Sequence, residues 1–123
     1  MNEAKREAMA RYLAGQAARY QELARVLDGD ERSDEGIFAK VQMNIYDAFQ
    51  AVFAAGVKLA GEDDGKLTAF FAQKLEQIPK SWEASLRNAQ AHGETEKAHI
   101  EQLKLEAAAA IRAEFDKVWR DAV

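Results

Sequence analysis

Apolar residues recur at steps of three and four through most of the chain, most densely between Gly36 and Leu59. In that stretch Ile37, Phe38, Val41, Ile45, Ala48, Phe49, Val52, Gly56 and Leu59 share one face of a helix, because ~100° of turn per residue superposes positions three and four apart. Tyr46, Phe53 and Val57 widen the apolar arc to roughly 200°, against ~100° for an ordinary surface helix. Lys40, Asn44, Asp47, Gln50 and Lys58 mark the polar side. A helix this apolar is either covered by several neighbours in its own chain or carries an interface with another. Tyr46, Phe53 and Val57 are therefore the candidate interaction surface. Ser33 or Asp34 is the expected N-cap, since a short side-chain oxygen accepts from free first-turn N–H groups, and Gly61 is the expected stop.

Three narrower seams flank this helix. Met9, Leu13, Gln16, Tyr20, Leu23 and Leu27 alternate steps of four and three, with Tyr12 and Val26 beside them. Gln16 is the polar member, expected to fix register through an interhelical hydrogen bond, and Asp28-Gly29-Asp30 closes the helix. After Gly65, with Asp63 or Asp64 as cap, Leu67, Phe71, Leu75, Ile78, Trp82, Leu86 and Ala89 keep one phase through Pro79. Proline removes a backbone hydrogen bond and crowds the preceding turn, so an unchanged phase predicts one helix kinked at Pro79. The last seam is Ile100, Leu103, Ala107, Ile111, Phe115, Val118 and Ala122, with Trp119 adjacent. The pattern predicts a single all-α domain with helices over about 2–28, 34–60, 64–92 and 94–121. Connections of a few residues force antiparallel neighbours, hence an up-down-up-down four-helix bundle.

Composition agrees with this picture and narrows the chemistry. The 123 residues suit one domain, and Ala, Glu, Lys, Leu and Arg dominate. Cysteine is absent, which removes disulfides, thiolate nucleophiles and cysteine metal sites. No apolar run reaches the ~18 residues needed to span a bilayer, and residues 1–10 lack the apolar centre of a signal peptide. The expectation is a cytoplasmic protein with no membrane partner. A formal charge of −4, with 17 basic against 21 acidic residues, does not favour nucleic acid. Acidic residues crowd the first two connections (Asp28, Asp30, Glu31, Asp34 and Glu35; then Glu62, Asp63 and Asp64), and the predicted topology puts these clusters at opposite ends.

Motifs for catalysis or metal binding fail on spacing. A carboxylate-bridged di-iron bundle needs paired Glu-x-x-His motifs; here Glu96 and His99 form one, and Ala89 stands where His92 would need its glutamate. The segment from Asp28 has Ser33 at the turn-glycine position of a calcium loop and Ala39 at the bidentate-glutamate position. No catalytic set, metal site or cofactor is expected, and the chain is read as a non-enzyme. Two functions compete. The first is an interaction protein of the adaptor, inhibitor or immunity type, forming a homodimer or homo-oligomer through the second helix. The second is a small-molecule sensor whose apolar pocket is lined by aromatic residues, with Gln16 and Gln42 as polar anchors. A coat for lipid or polymer granules is weaker, because no helix carries the cationic face of a membrane-surface binder.

Overall fold

The computed structural model describes residues 1–120. Five helical segments follow in order: α1 Glu3–Gly29, α2 Ser33–Ala60, α3 Asp64–Gln77, α4 Pro79–Ala91 and α5 Thr95–Arg120. Segments α3 and α4 form one bent rod. Ile78 between them keeps helical angles (φ −61°, ψ −44°), and its N–H still donates to the Lys74 carbonyl at 3.0 Å. The bend falls where Pro79 has no N–H to give. The fold is therefore the expected all-α four-helix arrangement with its kink at Pro79. Among the described residues no helix is long and apolar enough to cross a membrane.

Local chemistry sets the helix ends, in places differently from expectation. The Asn2 side chain accepts from the Lys5 N–H and that of Asp63 from the Lys66 N–H, both at 3.1 Å. Neither Ser33 nor Asp34 caps α2, which starts at Ser33 behind Arg32 without a side-chain cap. The reason lies in the preceding turn. The Arg32 N–H reaches back to the Leu27 carbonyl and the Glu31 N–H to that of Asp28, closing α1 with a Schellman motif. Glu31 takes the left-handed position (φ 59°), where glycine is usual, and Gly29 lies inside the helix. At the end of α2, Gly61 does adopt positive φ (58°), the conformation that made it a credible stop.

The core occupies one half of the molecule. Met9 and Leu13 of α1 meet Ile45, Tyr46, Phe49 and Phe53 of α2, Leu67, Phe71 and Leu75 of α3, and Ala107, Ala108, Ile111 and Phe115 of α5. Parallel helices α2 and α5 touch across the bundle, so α2 packs on α1, α3 and α5. Gly56 lets α3 approach α2: a Cβ there would lie 2.8 Å from Phe70 Cδ1 and 3.0 Å from Leu67 Cδ1. Among the described residues the α4 backbone runs close to those of α5 and α3 and not to those of α1 or α2. A small cluster, Ala24, Leu27 and Ala39, continues the interior toward the α1–α2 connection, and Ala89 of α4 is fully buried.

An ion pair fastens the core end. Arg6 Nε donates to Asp64 Oδ1 at 2.8 Å, and the Asn2 backbone N–H donates to the other carboxylate oxygen, tying the start of α1 to the start of α3. Desolvation pushes the Asp64 carboxyl up, but the Arg6 and Asn2 hydrogen bonds and the nearby positive charges outweigh it and hold the group below its usual range. A carboxyl lowered by folding contributes stability above its unfolded value, ordinarily near ~3.9, and loses it as pH falls through the folded value. Asp64→Asn is expected to lower the Tm at neutral pH, with the two proteins converging on acidification. Thermal melts across an acid pH series check this, and a gap that persists unchanged below pH ~2 would contradict it.

Candidate interaction surface

The residues expected to form an interface on α2 are mostly interior. Tyr46 and Phe53 are 2% and 3% exposed, and Val57 is half-buried against the core. Phe53 meets Phe71 edge-on at 5.3 Å between ring centroids and lies 6.1 Å from Trp119. Tyr46 stacks on Tyr20 at 5.6 Å and meets Tyr12 edge-on at 6.2 Å. The wide apolar arc of α2 is therefore matched by three neighbouring helices over its C-terminal half. A surface through Tyr46 and Phe53 does not exist on the folded chain.

Neither Gln16 nor Gln42 lines the groove between α1 and α2. Gln16 and Gln42 are both half-buried. Gln16 lies one turn after Tyr12 on the same helix and acts on its phenol. Burial, then the Tyr46 hydroxyl and the Glu114 charge, push the Tyr12 phenol well above its ordinary range, with Gln16 acting in the opposite sense. This cluster keeps Tyr12 protonated and serves as a polar seam among α1, α2 and α5. The groove between α1 and α2 has a volume of about 320 Å³ and is lined by Ala10, Leu13, Gln50, Phe53, Ala54 and Val57. Two small side chains, Ala10 and Ala54, leave that space, and its polar residue is Gln50.

Residues tested for metal chemistry lie apart from the interior. Glu96, His99 and His92 are exposed, and the His99 ring meets Phe38 edge-on at 4.6 Å, which joins the start of α5 to the start of α2. Among the described residues no three His, Asp or Glu side chains converge on one point. The buried acid on α5, Glu101, is held by Lys104 Nζ at 3.2 Å, one turn further along.

What remains bare is at the other end of the molecule, where the α1–α2 connection meets the start of α5. Leu23 and Val26, in the last turns of α1, are each 42% exposed, and Ile37, in the first turns of α2, is 44% exposed. Leu59 is more exposed still (71%), beside the α2–α3 turn, although the helical pattern of α2 assigned it to the buried face. Leu23 also belongs to an expected buried seam. Periodicity alone does not show whether a neighbouring helix reaches it. The signal that was legible is Val26 beside Leu23, two large apolar residues where one sufficed for the seam. No known protein family matches this chain, and neither the curated proteins nor the solved structures hold a counterpart similar enough to carry an argument.

Proposed function

We propose that the chain is a non-enzymatic helical interaction module, acting in the cytoplasm and binding a protein partner or itself through the end of the bundle that carries Leu23, Val26 and Ile37. The observation that carries this is a group of bare large apolar side chains: Leu23, Val26 and Ile37 stay exposed together at the end where α1 connects to α2, while the opposite end bares Leu59. Bare apolar area costs about 25 cal/mol per Å² relative to burial, so a partner that covers it gains affinity. A chain without cysteine needs no oxidising compartment, which is why the cytoplasm is the proposed setting. A photo-reactive phenylalanine analogue at position 23, 26 or 37, expressed in the native host, is expected to give a discrete adduct on irradiation. The same analogue at exposed position 51, on the middle of α2, should not. Equal labelling at all positions, or none at any, would overturn the reading.

The α1–α2 groove supports a second reading, a small apolar ligand held over Leu13 and Phe53 with Gln50 as its polar contact. Its volume of about 320 Å³ is at the small end of ligand sites. Saturable quenching of tryptophan fluorescence by apolar ligands would favour it, through the Phe53–Trp119 contact.

A further inference from the structure

We propose that a single stripe, made by Arg19, Leu23 and Val26 of α1 and its C-cap residue Asp30, binds the same stripe of a second copy of the chain with the two helices antiparallel. This rests on the interaction reading above and names its partner. The four residues follow one another at steps of four, three and four, so they occupy one side of the helix. Tyr12 and Gln16 continue the stripe toward the N-terminus, and there α5 partly covers it, with the Glu114 charge near Tyr12. From Arg19 onward it is open: Leu23 and Val26 are each 42% exposed, and Arg19 and Asp30 are exposed too.

The charges decide the occupant. Arg19 and Asp30 bracket the apolar pair, and both are exposed. Neither forms a salt bridge among the described residues, although the opposite-sign pairs Arg25–Glu22, Arg32–Glu35 and Lys40–Asp28 all form around them. The Arg19 guanidinium is instead steadied over the Tyr20 ring, at 5.5 Å from its centroid. A two-fold axis between Leu23 and Val26 would set Leu23 of each copy against Val26 of the other. The same axis sets Arg19 against Asp30 twice, ~16 Å apart along each helix at 1.5 Å per residue. Parallel pairing would oppose arginine to arginine and aspartate to aspartate, so the charge order selects the antiparallel dimer. The stripe is self-complementary in both shape class and sign. A contact along one short stripe falls below the ~1,200 Å² of stable complexes, so the dimer is a weak one, with a Kd on the order of 0.1 mM.

Sedimentation equilibrium over concentrations on the order of 10 µM to 1 mM tests this. The wild-type chain is expected to dimerise within that range. Arg19→Asp alone and Asp30→Arg alone should each weaken the dimer about tenfold or more, because each sets like charges together at both contacts. An equimolar mixture of the two single variants should recover association, since each copy then supplies the sign the other lacks. Circular dichroism should show unchanged helicity, as both positions are on the surface. A strictly monomeric wild type, association that survives both reversals, or a mixture that fails to recover would overturn the proposal. If the wild type is monomeric yet position-specific adducts to another protein form at 23 and 26, the dimer falls and the broader interaction reading stands. If neither occurs, both fall.

Discussion

Phe53→Glu is expected to unfold the chain. Phe53 is 3% exposed and lies between Phe71 and Trp119, where a carboxylate would lose its hydration among aromatic rings. Losing a buried Phe costs about 3–5 kcal/mol, and an unpaired buried charge adds several more. Together these approach the ~5–15 kcal/mol that holds a whole domain folded. The variant should show no cooperative thermal transition and little far-ultraviolet helical signal. The same substitution separates the two roles α2 could have played. Had Phe53 been the face of an oligomer, the charge would have dissociated it and left a helical monomer. A folded, monomeric Phe53→Glu chain would therefore contradict the burial described here.

Phe71→Ala should be the most damaging simple truncation. Its ring is fully enclosed and lies within 5.1 Å of Phe115, 5.3 Å of Phe53 and 6.1 Å of Phe49 between centroids. It thus joins α2, α3 and α5 at one point. The truncation removes those three contacts and leaves a cavity that stiff neighbouring rings cannot fill, at a cost of about 3–5 kcal/mol. Urea denaturation should show a much lower midpoint at a nearly unchanged slope, because the folded state stays as compact while its advantage shrinks. A shift of under ~0.5 kcal/mol, the size of an ordinary surface change, would show that the aromatic group does not hold the helices together.

Helix identity and order were legible in the residues because helical period is a local property. The seams at Met9 and Leu13, at Leu67, Phe71 and Leu75, and at Ala107, Ile111 and Phe115 are all buried as their spacing implied. Asp63 and Gly61 serve at helix ends as their chemistry implied. The Ser33 or Asp34 cap failed because the backbone of Glu31 and Arg32 had already closed the turn. The fate of Leu23 and Leu59 was not legible, since the spacing that puts a residue on a face does not say whether another helix reaches it. The same limit applied to the functional site. Tyr46 and Phe53 looked surplus to the core of a single chain, yet diagonal contact between α2 and α5, with α1 and α3 on the flanks, encloses them.

The sequence by itself determined four rods, their antiparallel order, the bend at Pro79 and the lack of cysteine chemistry, because each depends on neighbours within a turn or two of the chain. Only the tertiary structure decided which parts of those rods are covered. The missing N–H of Pro79 marks a bend, but that the segment beyond it lies along α5 is decided by tertiary packing. Burial leaves Leu23 and Val26 bare between Arg19 and Asp30, and this moves the candidate surface from the middle of α2 to the end of α1.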